Sequence, residues 1–197
     1  MDTAARQASG FQALAGRRDC PAERAEVLKK RNADPGDLRK ALQYAFLLLK
    51  FRPRSVREME FRLENKGFDP VIVREALTFL QNKKFLDDGA FARAWAQSRA
   101  ARSYGLSRIS RELSSKGIER GLAGRALERL REDGYSEEKA ALELVSGRKR
   151  SLLRDEDALK RKRRLFAFLS RRGFSPDVVN RTLEKFSGGK NDKEYED

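Results

Sequence analysis

Leu63-Glu64-Asn65-Lys66-Gly67-Phe68 is a stretch whose pattern occurs twice more along the chain. Leu113-Ser114-Ser115-Lys116-Gly117-Ile118 and Leu169-Ser170-Arg171-Arg172-Gly173-Phe174 share its order of leucine, two further residues, a basic residue, glycine and an apolar residue. The three glycines are 50 and 56 residues apart. A period of this length predicts a tandem array of one supersecondary unit.

Apolar residues recur at matched distances before and after the three glycines, spaced roughly as on one face of a helix. The matched sets are Met59, Ile109 and Leu165; Ile72, Leu122 and Val178; Leu77, Leu127 and Leu183; and Leu80, Leu130 and Phe186. Glycine tolerates a positive φ and commonly ends a helix, with the following apolar residue packed against the last turn. We therefore predict that Gly67, Gly117 and Gly173 each end a helix with positive φ.

Capping residues indicate where the helices begin. Asp69-Pro70 and Ser175-Pro176 each place a capping side chain before a proline, and Ser55 to Glu58 resembles a capping box. A leading helix precedes each glycine-linked pair, starting near Asp34–Asp37, Gly89 and Ser136, and we find no strand pattern of useful length. The predicted fold is all-α, an elongated tandem array of three three-helix repeats. Its parts are a partly disordered N-terminal extension at 1–36, repeats at 37–87, 88–135 and 136–186, and a disordered tail at 187–197.

The positive charge is spread along the whole chain. Of 197 residues, 44 are Lys or Arg and 30 are Asp or Glu, which gives a net charge of +14. The net charge is +2 over residues 1–36 and +4 over each of 37–87, 88–135 and 136–197. A basic surface in every repeat favours a long polyanionic or acidic partner over a general contribution to solubility.

Residues suited to catalysis or metal binding are scarce. The chain has no histidine and one cysteine, so the usual general base near neutral pH and a cysteine–histidine metal cluster are both missing. The glycine pattern that cradles phosphates in P-loop enzymes is also absent. We interpret Asp87-Asp88 and Asp155-Glu156-Asp157 as helix caps rather than acid–base or metal pairs. The prediction is a protein that is not an enzyme and uses no cofactor or metal.

The sequence also bears on location. The one cysteine, Cys20, has no partner for an internal disulfide, and the N-terminus lacks the apolar core of a signal peptide. The apolar run Ala45 to Leu49 is far too short to cross a membrane and is predicted to be buried. We therefore expect a cytoplasmic monomer with no membrane partner.

Basic clusters recur around the link between the leading and middle helices of each repeat. Arginine suits phosphate and carboxylate because its guanidinium is a rigid bidentate fork. These clusters are predicted to line one edge of the array and to bind DNA or a protein partner; a solvated face is the ordinary alternative. The candidate residues are Arg52, Arg54 and Arg57; Arg99, Arg102, Arg108 and Arg111; and Lys160, Arg161, Lys162, Arg163 and Arg164, with Arg148 to Arg150 preceding the last group.

Three aromatic residues in the second repeat are candidates for base stacking. Phe91 and Trp95 share one helical face with small apolar residues, which favours a place in the core. Tyr104 lies beside Gly105 in a predicted loop, and stacking and ordinary packing remain open for it.

An ordered set of residues between about 38 and 130 carries a family resemblance. It comprises Tyr44-Ala45, Leu48-Leu49, Arg52-Pro53-Arg54-Ser55, Glu58-Met59, Leu63, Lys66-Gly67-Phe68, Phe85-Leu86-Asp87-Asp88, Phe91-Ala92, Trp95, Arg99, Gly105, Ile109, Glu112-Leu113 and Lys116-Gly117-Ile118. In this order they resemble the bacterial RecX family, the regulators of the RecA recombinase. The third repeat fits more weakly, because its Arg154 to Arg164 stretch departs from the other two.

The resemblance implies a small modulator that binds the RecA–DNA filament and restrains the recombinase, ATPase and co-protease activities of RecA in recombinational repair and the SOS response. It also implies weaker, electrostatic binding to single- and double-stranded DNA. The alternative is a helix-turn-helix DNA-binding protein that acts without RecA. The helices after the glycines, such as Val71 to Phe79, favour the RecA modulator, because they are not rich in side chains that read DNA bases. An enzyme such as a nuclease ranks last.

Overall fold

The structure is a computed structural model that describes residues 36–147 and 157–188. Within these residues the chain forms nine helices and no strand, which confirms the predicted all-α array of three three-helix units. The helices are α1 (Leu38–Phe51), α2 (Val56–Lys66), α3 (Pro70–Asn82), α4 (Asp88–Ala100), α5 (Leu106–Ser115), α6 (Arg120–Glu132), α7 (Glu137–Gly147), α8 (Ala158–Arg172) and α9 (Pro176–Gly188). The N-terminal extension, the tail after Gly188 and Arg148 to Arg150 lie outside the described residues.

Each unit has a hydrophobic core of its own. The first core is built by α1 to α3, the second by α4 to α6 and the third by α7 to α9. Tyr135, between α6 and α7, is partly buried against both the second and the third core. The repeated leucines of the glycine motif are central to these cores, since Leu63, Leu113 and Leu169 are each fully buried. A unit of about 50 residues buries a limited fraction of its surface, so contacts between units add needed stability.

The repeated glycines end helices as predicted. Gly67, Gly117 and Gly173 have φ angles of +97°, +78° and +84°. At each one the next residue is buried, and its N–H donates to the carbonyl of the leucine five positions earlier, as in a Schellman cap. These bonds are Phe68 N to Leu63 O at 3.3 Å, Ile118 N to Leu113 O at 3.1 Å and Phe174 N to Leu169 O at 3.3 Å.

Side-chain caps begin several helices where the sequence predicted them. The carboxylate of Asp87 accepts from the N–H of Ala90 at 2.9 Å, and that of Asp157 accepts from the N–H of Leu159 at 2.8 Å. Asp155 and Glu156 lie outside the described residues. Capping therefore explains both acidic runs as far as they are described.

The apolar run at the end of α1 is only partly buried, so its predicted burial is wrong for part of the run. Ala45 is fully buried, but Phe46 is 38% exposed and Leu47 is 52% exposed. A helix turns its residues in all directions, so a continuous apolar run cannot face a small core along its whole circumference. Among the described helices, none is long and apolar enough to span a membrane.

Candidate nucleic-acid and partner interface

The first and second units meet where the start of α2 packs against the end of α5; we call this contact joint 1–2. The hydroxyl of Ser55, fully buried, donates to the carbonyl of Lys116 at 2.6 Å. The Asp88 carboxylate, at the first residue of α4, accepts from the N–H of Val56 at 2.9 Å. The ammonium of Lys116 donates to Glu58 at 2.7 Å. Polar contacts therefore connect residues about 30 to 60 positions apart in sequence.

The second and third units meet in the same way, where the start of α5 packs against the end of α8; this is joint 2–3. The N–H of Gly105 donates to the carbonyl of Arg172 at 3.0 Å. Glu137, the first residue of α7, accepts from the N–H of Leu106 at 2.8 Å. The guanidinium of Arg172 donates to the carbonyl of Arg102 at 3.0 Å. In both joints an acid from the next leading helix thus caps the preceding middle helix.

The glycines of the motif also make room for the neighbouring unit. A methyl group on Gly117 would lie 2.5 Å from Cβ of Arg57, closer than carbon atoms pack. A methyl group on Gly173 would lie 2.7 Å from the backbone nitrogen and 2.9 Å from Cα of Arg108. Both glycines therefore belong to the joints as well as to their own helix ends.

Trp95 links the second core to joint 1–2. Its ring stacks on Phe91 with centroids 5.8 Å apart, and Arg99 and Lys116 lie 4.4 and 4.1 Å from its centroid. Its indole N–H donates to Glu112 at 3.1 Å. The prediction of a core residue holds for its packing, but the ring is only partly buried and carries two cation–π contacts.

Tyr104 lies at joint 2–3 beneath arginine side chains. The guanidiniums of Arg108 and Arg172 are 4.5 and 4.7 Å from its ring centroid, and that of Arg99 is 5.5 Å away. Its carbonyl accepts from the hydroxyl of Tyr135 at 2.7 Å. Because the ring already packs against these guanidiniums, the structure favours a packing role over base stacking for Tyr104.

The carboxylates of Glu58 and Glu112 form ion pairs with the cations at the joints. Burial by itself would raise the pKa of Glu58, but hydrogen bonds from Arg52 and Lys116 outweigh it and lower the pKa to about 2. Burial also acts to raise the pKa of Glu112, but the hydrogen bond from Arg108 and the charge of Arg99 outweigh it and lower the pKa. Both side chains are therefore ionised near neutral pH.

The first cluster of candidate residues is divided between structure and surface. Arg52 pairs with Glu58 at 3.0 Å, and the stem of Arg57 lies against Gly117 while the residue stays exposed. Arg54 is half-buried, and its Nε has no hydrogen-bond partner within the described residues. Burial, followed by the neighbouring charge of Arg52, lowers its pKa. This cluster thus contributes to joint 1–2 as well as to the surface.

The second cluster separates into two pairs. Arg99 and Arg108 both pair with Glu112, at 2.6 and 3.0 Å, so these two hold the unit together. Arg102 and Arg111 are exposed. Any partner-binding role for the cluster therefore falls mainly on Arg102 and Arg111.

The third cluster lies on the first turns of α8. Lys160, Lys162, Arg163 and Arg164 are exposed and Arg161 is half-buried. Lys160 lies in the first turn after the Asp157 cap, where the helix dipole does not stabilise a positive charge, and the cluster continues into the second turn. The exposure of four of these five cations is consistent with a binding role.

Sequence reasoning did not identify Lys116 and Arg172 as joint residues. Both precede a motif glycine, and the sequence supports reading them as ordinary charges at a helix end. Their partners, Glu58 and the carbonyl of Arg102, lie in the preceding unit. The recurrence of a cation at this position was the available signal, but only the packing of units shows what it contacts.

Fold and joints together define the class: a tandem three-helix-repeat protein whose units are connected through basic, polar joints. Models of three RecX domains match this chain in order. The first three-helix domain matches residues 41–80, the second 87–127 and the third 136–183. The chain belongs to the RecX family.

Individual relatives agree with this assignment. The chain is 32% identical over 148 residues to a protein named Regulatory protein RecX from Chlorobium limicola, covering 74% of this chain and 88% of the relative. It is similar in fold to the crystal structure of RecX from Lactobacillus salivarius, with a TM-score of 0.65, 19% identity and coverage of 76% and 96% of the two chains. A second crystal structure, of regulatory protein RecX, gives a TM-score of 0.66, 20% identity and coverage of 75% and 73%.

Proposed function

We propose that this protein binds the RecA–DNA filament and negatively modulates the recombinase, ATPase and co-protease activities of RecA in recombinational repair and the SOS response. The observation that carries the proposal is the presence of all three RecX three-helix domains, in order. In this role the protein acts by binding and not by catalysis. The role requires a compartment that holds RecA and DNA, in agreement with the cytoplasmic location predicted from the sequence.

The exposed cations support a polyanionic partner. Arg102 and Arg111 on the second unit and Lys162 and Arg163 on the third are exposed. Together with the net charge of +14, they favour association with the phosphates of a nucleoprotein filament. Binding to free single- or double-stranded DNA through the same cations is expected to be weaker and more sensitive to salt.

The test is inhibition of RecA by the protein. Increasing concentrations of the wild-type protein should lower ATP hydrolysis by RecA on single-stranded DNA. The variant Arg102→Gln/Lys162→Gln/Arg163→Gln should need a higher concentration for the same inhibition. Arg125→Gln/Arg129→Gln/Arg131→Gln is the matched control, because it removes three exposed charges from α6 alone.

Circular dichroism should give the same helical signal for both variants and the wild type. Unchanged hydrolysis at a large excess of wild-type protein would contradict the proposal. Tight binding to duplex DNA combined with no effect on RecA would favour the helix-turn-helix alternative.

A further inference from the structure

Joint 2–3 contains an open cleft of about 260 Å³, which we call the joint cleft. It is lined by Arg108, Arg111, Glu112 and Ser115 of α5 and by Arg171 of α8. The second and third units both contribute to its wall. A group bound here would contact two repeats at once.

The charges around the joint cleft are unbalanced. Glu112, the one carboxylate among its described lining residues, already accepts from Trp95, Arg99 and Arg108, at 3.1, 2.6 and 3.0 Å. No carboxylate among residues 36–147 and 157–188 forms an ion pair with Arg111 or Arg171. Within the same residues, the side chain of Arg111 donates only to the carbonyl of Ser107, at 3.4 Å. Arg111 and Arg171 therefore line the cleft without an ion-pair partner among the described residues.

Arg108 is fixed in place before any ligand arrives. Its Nε donates to Glu112 at 3.0 Å, its Nη1 donates to the carbonyl of Arg171 at 3.0 Å, and its guanidinium packs on the ring of Tyr104. A guanidinium has five N–H donors, so these bonds leave three for a ligand. A donor held in position loses little conformational entropy on binding, which favours affinity.

The geometry of the donors selects the chemistry of the ligand. Arg108 and Arg111 line the cleft from α5, and Arg171 lines it from α8. A planar carboxylate is satisfied by one guanidinium fork, whereas the oxygens of a tetrahedral phosphate diverge and accept from several directions. A lining that includes arginines from two helices therefore favours a phosphate over the side chain of an acidic protein.

We propose that the joint cleft holds a backbone phosphate of DNA, so that one phosphodiester connects the second and third units. This inference rests on the proposed function and assigns it a specific point of contact with nucleic acid. Arg111 and Arg171 bind the phosphate directly, while Arg108 supplies a fixed third donor. Occupancy of the cleft stiffens joint 2–3, because donors from both units converge on one group.

Binding of the full chain to bare DNA tests the proposal. Fluorescence anisotropy with a labelled single-stranded oligothymidine would give the dissociation constant at several salt concentrations. For single strands, each lost phosphate contact reduces the slope of log affinity against log salt by about 0.7. Arg111→Gln/Arg171→Gln should therefore weaken binding and lower that slope by up to about 1.4. The control Arg129→Gln/Arg131→Gln removes the same charge from α6 and should leave the slope unchanged.

Three further measurements complete the test. Thermal melting shows whether the Arg111→Gln/Arg171→Gln variant folds as the wild type does; the single variant Arg171→Gln serves if the double variant does not. Inorganic phosphate at equal ionic strength should compete weakly if the cleft binds phosphate as such, and strong competition at micromolar concentration would indicate a free-phosphate site instead. Inhibition of RecA by the wild-type protein is measured separately, so failure of the proposed function and failure of the cleft remain distinguishable.

An unchanged affinity and slope for the double variant would overturn the proposal. A loss of binding to the RecA filament with an unchanged slope on bare DNA would also overturn it. That second result would assign the cleft to an acidic group on a protein partner.

Discussion

Gly117 and Gly173 each meet two requirements at once. Their positive φ angles end a helix, and the space above their Cα atoms is filled by Arg57 or Arg108 of the preceding unit. Gly134 offers a comparison, because it has a φ of +90° and a Cβ added there would meet no atom within 4 Å. A substitution at Gly134 therefore measures the cost of backbone strain alone, whereas one at Gly117 or Gly173 adds the cost of a steric clash at the joint.

Alanine at these three positions should rank in a defined order. Gly134→Ala should lower the free energy of unfolding by about 1–2 kcal/mol, since only the left-handed conformation is penalised. Gly173→Ala should cost roughly 1–3 kcal/mol more from overpacking, because the backbone of Arg108 cannot move aside. Gly117→Ala should have an intermediate cost, since the added methyl group meets the side chain of Arg57 and not its backbone. Urea denaturation measures all three, and equal costs at Gly134 and Gly173 would show that the joint glycines only end helices.

At the residue scale, the sequence predicted conformation better than contact. The positive φ of the three motif glycines follows from their place between a basic and an apolar residue, which is local chemistry. The roles of Arg99 and Arg108 were not predictable, because Glu112 approaches them only in the folded unit. Whether an arginine is free for a partner depends on which acids the fold brings near it.

Helix ends are the elements that connect the array. The starts of α2 and α5 receive a carboxylate from the next leading helix, Asp88 and Glu137 respectively. Burial raises the pKa of Asp88, although its hydrogen bond from Val56 opposes the increase. At α2 this contact adds to the local cap by Ser55, whereas at α5 it takes the place of a local side-chain cap, which Gly105 cannot supply.

Acid should weaken joint 1–2 through Glu58. Its pKa is lowered from 4.5 to about 2 in the folded protein, so its contribution to stability is complete above pH 4.5 and is lost as the pH falls toward 2. The loss should be on the order of 2 kcal/mol, because the carboxylate is mostly shielded from solvent. Glu58→Gln should remove this part of the pH dependence of unfolding between pH 5 and 2. An identical pH dependence in wild type and variant would show that Glu58 does not support the joint.

Helix positions and starts were largely predictable from capping signals and the matched apolar residues. Asp37, Ser55, Asp69 and Asp87 each cap the helix that the sequence assigned to them. The exposure of Phe46 and Leu47 was not predictable, because composition alone does not show which face of α1 meets the core. Contacts between units were equally hidden, since their partners are tens of residues apart.

The part of the chain that the structure describes consists of three small cores connected by mainly polar joints. Stability in such an array is approximately the sum of unit stabilities and nearest-neighbour terms. Weak joints allow one unit to unfold apart from the others, while strong joints make unfolding cooperative. At joint 1–2, much of the polar contact between units comes from the buried Ser55 hydroxyl and the Glu58–Lys116 ion pair.

The variant Ser55→Ala/Glu58→Gln should therefore reduce cooperativity. We expect the urea transition to broaden, with a smaller apparent m-value, because the first unit unfolds separately. Asp69→Ala is the control, since its cap lies within one unit and its loss costs about 1 kcal/mol. A single transition with an unchanged m-value in the joint variant would show that the apolar contacts alone couple the units.

Modulation of the RecA filament by this protein is tested by comparing two affinities at physiological salt. Labelled single-stranded DNA is titrated with the protein, first bare and then coated with RecA and a non-hydrolysable ATP analogue. If the protein is a modulator of the RecA filament, it should bind the coated DNA at least about tenfold more tightly, a difference of about 1.4 kcal/mol. Equal affinity for both, or preference for bare DNA, would contradict modulation of the RecA filament and favour a DNA-binding protein that acts without RecA.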